Sequence, residues 1–436
     1  MQTSTAYNTN KIKDKWCQFI CLAVVCLFIG ISSAMSGTAM AGLLIVLSSI
    51  VFIATGLLKK RESGLVIILG IALITRVALA VTNSFIFSLP DNETDAVVFE
   101  GLGWDIANAW NHGTVPPDTP GAYLYSKFIA LVYLFTGRSP FIIQYFNVFF
   151  GFISVYFVYK LIIEIGGSKR SATIGCFIAA IFPTLNLYSA VILRENLITV
   201  MSLISVYFFI RWLNTGFLSR IILAVFFLGG AASVHGAVIL VGVIYLIYFC
   251  FYKPKVNEWR PINKEALIAI ALTVIVFVFF RARLLNKLPS DITLVFSPDY
   301  LTSRLVPLAV GRAAYLVGYY PTSIMDIIIQ TPVRILHFIL MPFPWKITAA
   351  SDIIGCIDAV MYGVFIFFSF KGLRKAEGRD RLLFIALICI ILLEVFTFAW
   401  GTSNFGTAIR HRQKFVCLLI ATASIGMSGY EKKQKS

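Results

Sequence analysis

Four carboxylates fall within ten residues of one another directly after a long apolar stretch: Asp91, Glu93, Asp95 and Glu100. A carboxylate at a membrane surface can take a proton from an acceptor hydroxyl or hold a divalent cation. Acidic residues also belong in any solvated loop. This segment therefore admits a catalytic interpretation and a purely structural one.

Arg194 and Glu195 stand next to each other where one apolar segment ends and the next begins. An adjacent arginine and glutamate could position a phosphate and a hydroxyl of a substrate. The pair also has an explanation that needs no ligand, because charges at helix ends reach water and Glu is favoured at a helix N-terminus. His235 lies at a predicted helix end, where a satisfied interfacial histidine is commoner than a catalytic one.

A third polar group precedes the last apolar segment and contains Arg410, His411 and Arg412. Arginine side chains match phosphate oxygens with two parallel hydrogen bonds, so this cluster favours a ligand that carries phosphate. Anionic lipid headgroups are the alternative partner. The region before it is also rich in basic residues, namely Arg281, Arg283, Lys287, Arg304, Arg312, Arg334 and Lys346.

The elements that position these residues follow from composition. The chain has 436 residues, of which 58% are hydrophobic and 13% are charged, about half the charged share of a soluble domain. A helix satisfies its own backbone hydrogen bonds in lipid, so an all-α, polytopic transmembrane helical bundle is predicted. About twelve segments approach the 20 residues needed to cross: 17–35, 38–58, 64–87, 140–163, 171–192, 195–213, 218–235, 236–252, 264–281, 353–370, 381–400 and 414–429.

Basic connecting segments set the predicted orientation, because lysine and arginine collect on the cytoplasmic side. Both termini are then cytoplasmic, and the expected location is the plasma (inner) membrane. The predicted parts are a two-span segment 1–63, a main domain 64–429 and a basic tail 430–436. The main domain has outer loops at 88–139 and 282–352. Within them, 122–137 and 325–345 are predicted as interfacial helices, because prolines interrupt both and crossing would invert the charge pattern.

The same features exclude several classes of protein. The net charge of +16 is explained by basic loops against the membrane, so no nucleic-acid partner is expected. The eight cysteines lack metal-ligand or disulfide spacing. No P-loop, GxSxG, HExxH or CxxC pattern occurs, which argues against ATP-driven transport and the common hydrolases. Arg76, inside the third apolar segment, is either functional or structural, in which case it reaches toward water or belongs to a structural pair.

Several of these segments together resemble the GT-C superfamily of membrane glycosyltransferases. The resemblance is carried by an arginine-containing span, by Asp95 followed by the aromatic Phe99, and by Pro120 with "GAYLYSKFIALVYLFTG" after it. It continues through the next two spans to "LRENL", and "GTAIRHRQKF" is similar to a terminal Arg-x-Arg element of bacterial members. The likeness is strong over roughly residues 64–213 and weaker over 382–429.

This resemblance implies transfer of a sugar, hexosyl or pentosyl, from a polyprenyl-phosphate or -pyrophosphate donor at the outer membrane face. The acceptor would be a glycan or a lipid, in contact with membrane lipids. The resemblance maps the catalytic base to Asp95, with Asp91 as the alternative and Glu195 in support. Arg194, His235, Arg410, His411 and Arg412 would bind substrate. The family's acidic pair is here Asp-Ala, which leaves open whether Mg²⁺ or Mn²⁺ takes part; no other cofactor and no fixed metal site are expected.

Two other functions fit some of the same residues. An envelope polysaccharide polymerase of the O-antigen or capsule type joins lipid-linked units with similar donors and outer arginines. A transporter or flippase for lipid-linked glycans would need charges near the bilayer midplane and paired repeats with broken helices. The sequence has few such charges and no clear repeat, so the glycosyltransferase is favoured over the transporter.

Overall fold

The computed structural model describes residues 63–117, 124–261, 267, 270 and 297–431. Helices dominate this part of the chain, which contains 14 α-helices and one two-stranded hairpin, so the predicted all-α class is confirmed. The helices are α1 Ser63–Phe85, α2 Thr94–Asn111, α3 Leu124–Thr136, α4 Pro140–Glu164, α5 Lys169–Ile181, α6 Pro183–Leu187, α7 Glu195–Thr215, α8 Leu218–Val234, α9 Val241–Phe251, α10 Pro298–Leu305, α11 Ile324–Leu340, α12 Ala350–Lys375, α13 Gly378–Ala399 and α14 Phe405–Ser428.

Three short 3₁₀ segments and a small hairpin complete the described part. The 3₁₀ segments are Gly236–Leu240, Val306–Leu308 and Pro344–Lys346. Strands β1 Tyr252–Lys253 and β2 Glu258–Trp259 pair antiparallel, with Tyr252 opposite Trp259.

Five of the described helices are long and apolar enough to cross a membrane. They are Gly64–Phe85, Pro140–Glu164, Glu195–Thr215, Ser351–Lys375 and Gly378–Ala399. The predicted number was about twelve, and part of the difference has a local cause: the apolar segment 171–192 is divided, because α5 ends at Ile181 and Pro183 begins a separate short helix. The predicted spans 17–35, 38–58 and 264–281, and the tail from residue 432, lie outside the described residues.

The two stretches predicted to lie at the interface form helices too short to cross. Helix α3 has 13 residues and α11 has 17, which correspond to lengths of about 20 Å and about 26 Å against a hydrocarbon core of about 30 Å. Helix α11 begins with a capping box, in which Ser323 and Asp326 satisfy each other's backbone N–H groups. Pro332 lies inside this helix, which continues through it to Leu340.

The described chain divides into two compact units. The first unit runs to Tyr156 and includes Cys176–Asn196, so it holds α1, α2, α3 and the short helix α6. The second comprises Phe157–Gly175 and the chain from Leu197 onward, with α8 to α14. In the second unit α12 and α14 approach closely because both carry a glycine at the crossing: a Cβ on Gly426 would lie 1.8 Å from the carbonyl oxygen of Phe368.

The buried Arg76 of α1 repairs the break between α5 and α6. In a continuous helix the carbonyl of Ala179 would accept from the N–H of residue 183, but Pro183 has none. Arg76 supplies the missing donors, since Nη2 donates to Ala179 O at 3.1 Å and Nη1 donates to Ala180 O at 3.0 Å. Of the two roles open to Arg76, the structure supports the structural one.

Arg76→Leu should lower the free energy of unfolding of the detergent-solubilised protein by about 2–3 kcal/mol and its melting temperature by several degrees. The reason is that the two carbonyls then lose charged donors in a buried site. Arg76→Lys should recover part of the loss through its remaining N–H donors. Ile74→Ala is the control, since this side chain on the same helix is 44% exposed. Equal melting temperatures for Arg76→Leu and the wild type would contradict this role.

Candidate active site

Asp91 lies in the turn between α1 and α2 and is held there by neighbours in the first unit. The hydroxyl of Tyr188 donates to Asp91 Oδ2 at 2.8 Å. Asn83 holds the turn through two hydrogen bonds. Its Oδ1 accepts from the N–H of Leu89 at 2.8 Å, and its Nδ2 donates to Ala190 O at 3.0 Å. Asp91 itself has a φ of 63°, a left-handed conformation that aspartate tolerates better than most residues. One of its oxygens is therefore already used within the protein.

Asp95 stands in the first turn of α2 and is exposed. The helix dipole favours a negative charge at this position. Phe99 follows Asp95 by four residues, so the two side chains lie on one face of α2. The guanidinium of Arg194 is 5.5 Å from the centre of the Phe99 ring. A carboxylate open to solvent and a half-buried guanidinium therefore share this face of α2.

Arg194 belongs to a non-helical segment, residues 188–194, whose backbone is secured by Asn147. The Nδ2 of Asn147 donates to Val191 O at 2.7 Å and to Leu193 O at 3.1 Å. Asn196 completes the arrangement by donating to Ser189 Oγ at 2.9 Å. Irregular backbone at the end of an apolar segment needs such donors, because lipid offers none. Arg194 is thus presented from a fixed backbone.

Tyr125 contacts both Phe99 and Asn147. Its ring packs edge-to-face on Phe99 with centroids 5.6 Å apart, and its hydroxyl donates to Asn147 Oδ1 at 3.2 Å. Burial raises the pKa of Tyr125 well above its ordinary value, against the smaller opposite effect of the Asn147 hydrogen bond, so it remains a neutral donor. The orientation of the Asn147 amide is thereby determined.

Glu195 begins α7 and is only 5% exposed. Its Oε2 is buried and has no hydrogen-bond partner within the described part of the chain. Buried polar atoms are nearly always paired, so a carboxylate oxygen left over beside Arg194 marks a place where a substrate hydroxyl or a water would fit.

The fourth carboxylate of the first loop has a different role. Glu100 is buried, and it accepts from the Tyr133 hydroxyl at 2.8 Å and from Arg138 Nε and Nη2 at 3.0 and 2.8 Å. Burial raises the pKa of Tyr133, and the carboxylate of Glu100 raises it further, so this hydroxyl keeps its proton. These bonds join α2 to the helix α3 and the turn after it.

In the second unit His411 is held by several neighbours. Lys414 Nζ lies 2.9 Å from His411 Nδ1. The His411 ring stacks on Phe398 with centroids 4.7 Å apart and meets the edge of His235 at 5.3 Å. Arg410 is half-buried on the same helix.

Arg412 occupies a different environment in that unit. It is 1% exposed, and its Nη1 and Nη2 donate to the carbonyls of Ile339 and Met341 at 2.5 and 2.6 Å. Its guanidinium also lies 5.4 Å from the centre of the Tyr362 ring. Both terminal amino groups are thus committed to backbone oxygens after α11, and the geometry supports a packing role.

Sequence reasoning missed Asn147 and Tyr188. Asn147 had a readable signal, because it interrupts the apolar run of a predicted span. Tyr188 had none, since a tyrosine at the end of an apolar segment usually serves as an interfacial anchor. No group of three His, Cys, Asp or Glu residues that could hold a metal ion occurs among the described residues.

Asn147→Ala should loosen residues 188–196, because two carbonyls and the Tyr125 hydroxyl lose their partner. We expect amide hydrogen exchange in that segment to quicken at least about tenfold, the equivalent of about 1.4 kcal/mol. Asn108→Ala is the control, because Asn108 is exposed on α2. Unchanged exchange in 188–196 would show that Asn147 does not secure the segment.

Residues 119–282 match the family model described as dolichyl-phosphate-mannose-protein mannosyltransferase, a glycosyltransferase domain of the GT-C superfamily. A search of curated proteins found no match. The matched region includes Tyr125, Asn147, Arg194 and Glu195, and the expected resemblance to GT-C membrane glycosyltransferases is confirmed over it.

Proposed function

We propose that this chain, which matches a GT-C glycosyltransferase domain over residues 119–282, transfers a hexose or pentose to a glycan or lipid acceptor. The donor carries the sugar on a polyprenyl-linked phosphate or pyrophosphate. The reaction takes place at the outer face of the plasma (inner) membrane. The observation that carries this proposal is the shared face of α2, where the exposed Asp95 stands one turn from Phe99 and the guanidinium of Arg194. The family match supports a donor that carries its sugar on a polyprenyl phosphate.

The chemistry requires a base and a cation. The bond from the sugar to the phosphate is already reactive, so the protein needs to stabilise the negative charge that builds on the departing phosphate. Arg194 is the cation on the face of Asp95, and its planar guanidinium suits phosphate oxygens. Its stacking on Phe99 restricts its orientation before the donor binds.

Asp95 is the proposed base that takes the proton from the acceptor hydroxyl as this oxygen attacks the anomeric carbon. The glycosidic bond to phosphate breaks on the opposite side, so the anomeric configuration inverts. Glu195 is proposed to hold an acceptor or donor hydroxyl through its buried, unpartnered Oε2. Asp91 is the weaker candidate for the base, since Tyr188 already donates to one of its oxygens.

The second unit contributes its own proposed substrate contacts. The half-buried side chains of His411 and Arg410 are both suited to an anionic ligand. His235 packs against His411 and is proposed to hold its ring in place. Arg412 is proposed to support this region through the backbone carbonyls that it already binds.

Asp95→Asn should lower the rate of sugar transfer by about 10²–10⁴-fold, because an amide cannot accept the proton. The measurement is mass spectrometry of lipid-linked saccharides in cells lacking this protein: the wild-type gene should clear the accumulated acceptor, and Asp95→Asn should not. Glu93→Gln, an exposed acid two residues away, is the matched control and should behave as the wild type. Full activity of Asp95→Asn at normal expression would remove Asp95 as the base.

The product should carry one added sugar. When solubilised protein is given a labelled polyprenyl-linked donor and the accumulated acceptor, a single shifted band is expected on a gel. A regular ladder of products would instead establish a polymerase, since repeated addition of lipid-linked units gives a series of lengths.

A further inference from the structure

Three arginines of the described chain are fully buried, namely Arg76, Arg334 and Arg412. The terminal amino groups of Arg76 and Arg412 all donate to backbone carbonyls. Arg334 differs, because among the described residues only its Nη2 has an acceptor, the carbonyl of Tyr319. Its Nε and Nη1 are buried and have no hydrogen-bond partner within the described residues.

Arg334 also lacks a counter-charge. Burial lowers its pKa, and the neighbours that oppose this effect are the tyrosines Tyr315, Tyr319 and Tyr320, with no carboxylate among them in the described part of the chain. Trp400 covers one face of the guanidinium, with its ring centre 4.5 Å away. A buried charge without an ionic partner costs several kcal/mol, so an anion is the missing component.

Gln330 adds a second unfilled position one turn before Arg334 on α11. Its Nε2 donates to Tyr320 O at 3.3 Å, while its Oε1 is buried and has no partner among the described residues. Residues four apart lie side by side on a helix. The site therefore offers N–H donors for an anion next to an acceptor for a hydroxyl.

The outer face of α11 indicates where such a ligand comes from. Opposite Arg334 the helix carries an exposed apolar stripe, with side chains between 54% and 70% exposed: Ile324, Met325, Ile328, Ile329 and Leu336. In a membrane protein an apolar stripe on a helix too short to cross is typical of a helix lying among lipid headgroups. Trp345, which is 76% exposed, follows it as an interfacial aromatic residue.

We propose that Arg334 and Gln330 form a binding site for the phosphate of a hydroxyl-bearing anionic phospholipid, separate from the proposed transfer site. The phosphate accepts from Nε and Nη1 of Arg334, and a headgroup hydroxyl donates to Gln330 Oε1. Segment 316–322 covers the site, since Tyr319 O and Tyr320 O bind Arg334 and Gln330. The lipid enters by displacing this cover.

The test measures the melting temperature of delipidated protein in maltoside detergent, with added phosphatidylglycerol, diacylglycerol or inorganic phosphate. Phosphatidylglycerol should raise the melting temperature by about 4 °C or more, because a ligand bound only by the folded state stabilises it. Diacylglycerol lacks the phosphate and should have no effect. A rise of the same size with inorganic phosphate would overturn the assignment to a lipid.

Two variants distinguish this site from a structural arginine. Arg334→Met should have a higher melting temperature than the wild type without lipid, because it removes a buried unpaired charge, and should no longer respond to phosphatidylglycerol. Gln330→Glu places a carboxylate beside Arg334 and should likewise raise the lipid-free value and suppress the response. Arg304→Met, which removes an exposed charge from α10, should respond as the wild type does.

Two outcomes would contradict the proposed lipid site. A lower lipid-free melting temperature for both Arg334→Met and Gln330→Glu would show that Arg334 serves packing alone. A full response to phosphatidylglycerol in either variant would place the lipid elsewhere. Since none of these measurements depends on sugar transfer, failure here and failure of the proposed glycosyltransferase activity are distinguishable.

Discussion

The need to satisfy every backbone N–H and carbonyl without water governs this structure. A regular helix does so within itself, but a site for chemistry needs backbone that departs from the helix. In the first unit the departure is segment 188–194, and its carbonyls are taken up by Asn147 and Asn83. The side chains that permit the irregular backbone are thus as necessary to the candidate site as Asp95 and Arg194.

The same requirement explains the charged residues that lie inside apolar helices. Arg76 makes good the donor that Pro183 lacks, and Arg412 satisfies the carbonyls of Ile339 and Met341. Both were open to a functional interpretation in the sequence, because an intramembrane charge marks a functional site by default. The acceptors decide the matter: an arginine whose terminal amino groups all bind backbone oxygens has little left for a ligand.

Much of the architecture was predictable from composition and hydropathy, because long apolar segments with few charges can only be helices in lipid. The short lengths of α3 and α11 also followed from prolines in the sequence. The break in the apolar segment 171–192 was harder to predict from the sequence, although Pro183 indicates it. At the site, the resemblance and the loop position singled out Asp95, but the roles of Tyr188 and Asn147 depend on contacts across 44 residues or more, which no local pattern encodes.

Glu100 and Asp95 show why residue type alone does not assign a role. Both are acids of the same loop region, five residues apart on α2. That spacing turns them to different faces, since five residues on a helix correspond to about 500° of rotation. Glu100 faces α3 and accepts hydrogen bonds from Tyr133 and Arg138, so its oxygens are used in packing. Asp95 faces outward beside Phe99 and stays exposed, so a substrate hydroxyl can reach its carboxylate.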